Sequence, residues 1–84
     1  MEEKVGKVTH FYSKLGVAAV ELQHGRIQKG DHIHIHGHTT DLEQNVDSME
    51  LEHQQILEAH EGQNVGILVH DHVRENDDVY KTYI

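Results

Sequence analysis

An all-β fold is what this sequence predicts, and three observations predict it. Proline is absent, seven glycines punctuate the chain, and the apolar residues fall in short clusters of strand length rather than in stripes of period 3.6. Six short strands, with turn signals at spacings of roughly 8 to 12 residues, point to a barrel or a sandwich, and closure into a barrel is the economical way to remove exposed edges.

Val5 to Phe11 reads as the first strand and Val17 to Leu22 as the second, joined by a turn over Tyr12 to Gly16. Ala18, Val20 and Leu22 then share one face. Lys29-Gly30-Asp31 is a turn signal directly before the alternation His32-Ile33-His34-Ile35-His36. A side-chain period of two sends Ile33 and Ile35 into the core and gathers His32, His34 and His36 on the outer face, with Gly37 ending the strand. The strand from Leu42 to His53 keeps Leu42, Gln44 and Val46 in one parity and then switches to Met49 and Leu51, so a bulge is expected near Asp47 and Ser48. Gln54 to Gln63 lacks alternation and reads as a loop, with a single helical turn before Gly62. Asn64 to Val73 is the fifth strand: Val65, Ile67 and Val69 face inward, and Leu68, His70 and His72 outward. Arg74 to Asp78 turns the chain into a closing strand over Val79 to Ile84.

Eighty-four residues hold one core and no second lobe, so the whole chain, residues 1–84, is expected to be a single domain. With no cysteine there is neither a disulfide staple nor a thiolate zinc site. The charged start, Met1 to Lys7, and the lack of any apolar run of roughly 18 residues predict no leader, no membrane span and a cytoplasmic location. Seven Lys and Arg against fifteen Asp and Glu give a formal charge of −8, which disfavours independent binding to nucleic acid. Protonating all ten His would carry that charge from −8 to +2, so the surface charge is unusually sensitive to pH.

The residues Val5-Gly6-Lys7-Val8, Gly16-Val17-Ala18, Gly25, Lys29-Gly30-Asp31, Val46, Ser48-Met49, Gly62 and Val65-Gly66 together resemble domain 2 of elongation factor Tu. The resemblance covers nearly the whole chain, and Gly37-His38-Thr39-Thr40-Asp41 is similar to the corresponding segment of stand-alone translation elongation factor-like proteins. It implies a six-stranded Greek-key barrel of the translation-protein type. It also implies a non-catalytic module that binds a protein or ribonucleoprotein partner and has no GTPase domain of its own. No Gly-Lys-Ser or Gly-Lys-Thr tripeptide is present, so no phosphate loop accompanies the resemblance. Where the family commonly has a Gly-Asp turn before its last strand, Asn76 and Asp77 supply that geometry here.

The histidines carry the second reading. Residues two apart on one strand face are roughly 6.5 to 7 Å apart, close enough for two imidazoles to share an ion. The metal candidates are His32, His34, His36, His38, His70 and His72, and imidazole suits Zn, Ni or Cu. A second copy of the chain in a homo-oligomer would extend the stripe. Against this, polar residues belong on the outer face of any such strand, and histidine fills that role without a metal. No cofactor is required by either reading. A third reading is a pH-responsive surface, because crowded imidazoles repel once protonated and titrate below about 6.5.

Catalysis finds no support in the spacing. His70 and Asp71 are adjacent on a strand and point to opposite faces, so they do not form a base with its orienting carboxylate. Glu50 and Glu52 share a face and read as solvated, as does the acidic turn from Glu75. His53 reads as a hydrogen-bonded residue at the barrel rim, and His10, His24 and His60 as isolated. The chain is therefore expected not to be an enzyme.

Overall fold

The computed structural model describes residues 1–83, and the last residue of the expected closing strand, Ile84, lies outside them. The described residues are all-β. Ten strands follow in order: β1 (Glu2–Tyr12), β2 (Val17–Leu22), β3 (Arg26–Gln28), β4 (His32–His36), β5 (Asp41–Asn45), β6 (Met49–Leu51), β7 (Gln54–Ile56), β8 (Glu58–His60), β9 (Asn64–Leu68) and β10 (Asp78–Thr82). No helix long and apolar enough to cross a membrane occurs among them.

β1 is longer than its apolar cluster because it tolerates two irregularities. Its register shifts between Lys4 and Gly6 against β10, and between Val8 and His10 against β2. These bulges let Val5 and Val8, which differ in parity, both lie in the core. Gly6 sits where β1 and β2 approach most closely, since a Cβ there would overlap the carbonyl oxygen of Glu21.

Eight strands form one antiparallel sheet in the order β5-β4-β10-β1-β2-β9-β6-β7, and β3 pairs with β8 in a second, two-stranded sheet. The alternation of β4 is as its sequence dictates. Ile33 and Ile35 are fully buried, in one cluster with Val20, Leu22, Ile27, Met49, Val65, Ile67 and Val79.

The expected closed barrel of six strands is corrected here. Among the described residues neither sheet closes on itself, and β5 and β7 end the larger one. The segment read as one bulged strand, Leu42 to His53, instead breaks after Asn45, where Val46 leaves the ladder to exchange hydrogen bonds with the turn before β4: Gly30 N–H donates to Val46 O and Val46 N–H to Asp31 O, both at 2.8 Å. The segment read as a loop contains β7 and β8. The fifth strand ends at Leu68, although Val69 and Val73 stay buried beyond it.

What spans the resulting gap is a side chain. Gln44, on β5, is buried among apolar neighbours. Its Nε2 donates to Leu68 O at 2.9 Å and to Asn45 O at 3.1 Å, while its Oε1 accepts from His70 N–H at 2.7 Å. One amide thus does what a short stretch of ladder would do between β5 and the end of β9.

Candidate functional site

The histidine stripe is on the outer face of β4 as expected, and the structure shows what it contacts. His34 lies between two carboxylates: Nδ1 is 2.8 Å from Glu2 Oε2 on β1 and Nε2 is 2.5 Å from Asp41 Oδ1 on β5. Both ring nitrogens are occupied, at opposite ends of the ring, by groups that favour imidazolium. Burial works to lower the pKa of His34, but the hydrogen bonds and charges of Asp41 and Glu2 outweigh it and raise the value above 6.5. This reverses the expected depression by crowded imidazoles.

The other candidates have separate partners. His32 faces Glu43 at 3.8 Å, His70 bonds Asp47 at 2.7 Å, and His72 packs edge-on against Phe11. His36 is tilted against His34, with ring centroids 5.6 Å apart, and His38 follows in the turn after β4. Among the described residues no three His, Asp or Glu side chains come together in an arrangement suited to a metal ion. His10, His24 and His60, read as isolated, each lie 3.0 Å from a carboxylate: Glu75, Glu3 and Glu58.

A concavity lies elsewhere, on the outer face of β1, β2, β9 and β6, with a volume of about 670 Å³. Strand register builds it. One cross-strand row runs His10–Ala19–Gly66–Glu50, because His10 is opposite Ala19, Ala19 opposite Gly66, and Gly66 opposite Glu50. The two smallest side chains therefore occupy the two middle positions, between an imidazole and a carboxylate. The next row, Tyr12–Val17–Leu68, is apolar. Four strands at about 4.8 Å spacing make the trough about 14 Å across, wide enough for one extended polypeptide with its side chains.

Its rims are unusual in two ways. Tyr12, Leu15 and Leu68 are 48%, 69% and 39% exposed, so three large apolar side chains stand open to solvent along one border. At the opposite end the β6–β7 hairpin turns through Glu52 and His53, whose φ values of 51° and 66° lie in the left-handed region that a two-residue hairpin loop needs but that glycine or asparagine usually supplies. His53 is thus an exposed turn residue lining the trough rather than a hydrogen-bonded rim residue. Glu50 and Glu52 both line this end, and no Lys or Arg lines the trough.

Two hydroxyl groups near it are engaged with the backbone or with an amide. Thr9 Oγ1 donates to Ala19 O at 3.2 Å, and Ser48 Oγ donates to Gln55 Oε1 at 3.0 Å. The trough's chemistry is that of a binding face: apolar floor, aromatic border, acidic end.

No family model matches the chain. Among curated proteins, an uncharacterized protease of Methanocaldococcus jannaschii is 41% identical over 78 residues, which is 92% of this chain and 19% of that protein. A collagenase of Porphyromonas gingivalis is 38% identical over 78 residues, 92% of this chain and 22% of its own length. The chain spans about a fifth of the length of these relatives. Among solved structures, the C-terminal domain of a Geobacillus thermoleovorans protein described as a U32 peptidase superposes with a TM-score of 0.88 at 20% identity, covering 96% of this chain and 93% of that one.

These relatives overturn the resemblance to domain 2 of elongation factor Tu, and with it the reading as a translation factor-like module. The reason is visible in the residues that carried the resemblance. Gly16, Gly25, Gly30 and Gly62 take positive φ, and Val5, Val8, Ala18, Val46, Met49 and Val65 are buried, so all of them report turns and core rather than a partner surface. The alternative, a transition-metal protein using the stripe from His32 to His36, gains no support from the relatives, and the carboxylates at His34 account for that side chain. The expectation that the chain is not an enzyme is corrected too: the relatives carry the names protease and collagenase, and the solved neighbour is the C-terminal domain of a protein described as a U32 peptidase.

Proposed function

We propose that this chain is a β domain of the U32 peptidase type and that its part in peptidase action is to engage polypeptide substrate in the trough over β1, β2, β9 and β6. The observation that carries the proposal is identity of 38 to 41% to proteins named collagenase and protease across 92% of the chain. The trough supports the assignment of role. It offers exposed aromatic and apolar side chains around a floor of Ala19 and Gly66, which suits an extended backbone lying flat on the sheet. The side-chain bridge through Gln44 supports a barrel-like reading of the fold, in which a curled sheet is completed by one amide.

Heat-denatured collagen tests the proposal. Immobilised protein is titrated with fluorescent gelatin and with casein by biolayer interferometry, beside an Ala19→Leu variant that fills the trough floor. Saturable binding of at least one unfolded polypeptide, weakened by Ala19→Leu, is the expected result. No binding up to about 1 mM, a free energy weaker than roughly −4 kcal/mol, would sink the assignment.

A further inference from the structure

The trough has a charge as well as a shape. Its lining contains two carboxylates, Glu50 and Glu52, and two imidazoles, His10 and His53, but no Lys or Arg. Of these, His10 already faces Glu75 at 3.0 Å. Glu50 receives one long hydrogen bond, from Gln55 Nε2 at 3.4 Å, which leaves most of its capacity to accept free. Across the floor, the ring of Tyr12 is 48% exposed and offers a face to a cation.

A neutral, apolar segment could sit on the floor without using any of this. A segment with lysine or arginine would place its aliphatic stem over Ala19, Val17 and Leu68 while its charged head reached Glu50 and Glu52 or the Tyr12 ring. The chain's formal charge of −8 adds long-range attraction of the same sign. An acidic segment would meet two carboxylates with no cation to offset them.

We infer that the trough selects basic segments of extended polypeptide, with Glu50 and Glu52 as the residues that set the selection. This deepens the polypeptide-engaging role proposed above and rests on it. The trough is about 14 Å across its four strands, so at about 3.4 Å per residue about four residues of an extended chain laid across them span it.

The test uses three fluorescein-labelled peptides of about ten residues, alike except that two positions carry Lys, Gln or Glu. Binding is read by fluorescence anisotropy against wild type, Glu50→Gln/Glu52→Gln and Ala19→Leu. All are checked for native fold by circular dichroism, and the altered side chains lie outside the buried core. Wild type should prefer the Lys peptide over the Gln peptide by about three- to tenfold, and over the Glu peptide by more, as expected for a few solvent-screened charge contacts. The double Gln variant should lose that preference while keeping affinity for the Gln peptide, and about 1 M salt, where the Debye length falls to about 3 Å, should do the same. Equal binding of all three peptides overturns the inference and leaves the polypeptide-engaging role intact. Failure of all three, with gelatin also unbound, overturns both. A Lys preference that survives in Glu50→Gln/Glu52→Gln assigns the charge selection to groups other than these two carboxylates and also overturns the inference.

Discussion

Replacing Gln44 with leucine should destabilise the protein far more than an ordinary substitution of similar volume. The Gln44 amide satisfies two backbone groups that no ladder reaches, Leu68 C=O and His70 N–H. Orphaning both costs about 2–6 kcal/mol together, and the apolar burial gained by leucine returns about 1–2 kcal/mol, leaving a net loss centred at about 2.5 kcal/mol. A chain of this length has a total stability on the order of 4–13 kcal/mol, so the effect is a large share of it. Urea denaturation followed by circular dichroism reads this directly. With a slope of about 1 kcal/mol per molar, the midpoint should fall by about 2 M or more at unchanged slope. Gln44→Glu supplies the internal control. It keeps an acceptor for His70 N–H but, when ionised, points a second oxygen at Leu68 O. Its buried carboxyl has a raised folded pKa, so stability is present at low pH, where the acid can donate, and is lost as pH rises through that value. A change below about 0.5 kcal/mol in Gln44→Leu, or no recovery of Gln44→Glu on acidification, would refute the bridging role.

Three further outcomes follow from other sites. Because the folded-state pKa of His34 is raised above 6.5, its stabilisation is fully present below about pH 6.5 and is lost as pH rises through the raised value. The stability gap between wild type and His34→Gln in urea should therefore narrow on the alkaline side, and a constant or widening gap would contradict the ion-paired assignment. A Cβ at Gly37 would overlap the carboxylate of Asp77, which is buried and pinned by accepting Arg74 N–H at 2.8 Å. Gly37→Ala should accordingly cost about 1–3 kcal/mol, whereas Gly66→Ala, which meets only a Val17 methyl at 3.1 Å, should cost less than about 1 kcal/mol; equal losses would show that Asp77 is free to move. His53→Gly should raise stability by about 0.5–1 kcal/mol, since relief of the left-handed backbone exceeds the added chain entropy, and thermal unfolding showing no gain would mean that the turn carries no strain.

Period two made β4 and β9 readable in advance, because an alternating strand has only one way to bury Ile33 and Ile35, or Val65 and Ile67. It failed where the backbone departs from alternation. Val5 and Val8 are both buried only because β1 bulges twice, and a bulge leaves no residue type behind it as a marker. β7 and β8 bring only Ile56 and Ala59 to the core beside Gln54, Gln55, Glu58 and His60, so one apolar residue apiece gives no alternation and the strands show only in their backbone pairing with β6 and β3. Gln44 was legible as an inward residue sharing parity with Val46, but its partners depend on β5 reaching the end of β9, which no local pattern encodes. Bridging by a side chain therefore looks, in sequence, the same as pairing by a strand.

The candidate site divides the same way. Conspicuous chemistry drew the sequence reading to His32, His34 and His36, which do share a face, yet the two carboxylates that hold His34 come from strands far from each other in the chain: Glu2 from β1 and Asp41 from β5. Those partners turn the centre of an apparent ligand stripe into an ion-paired residue. The trough, by contrast, is made by what is missing. Once Ala18, Val20, Val65 and Ile67 are assigned inward, Ala19 and Gly66 must face out, and small outward residues on two strands are the signal that was available. It becomes a concavity only if the strands are neighbours in the one register that sets Ala19 opposite Gly66. A slip of two residues would keep every core side chain buried but would set Ala19 opposite Asn64 or Leu68, break up the small-residue floor and remove Glu50 from its end. The site therefore belongs to the register of the sheet, and a substitution that shifted the β2–β9 pairing should abolish the proposed polypeptide binding while leaving the apolar core filled.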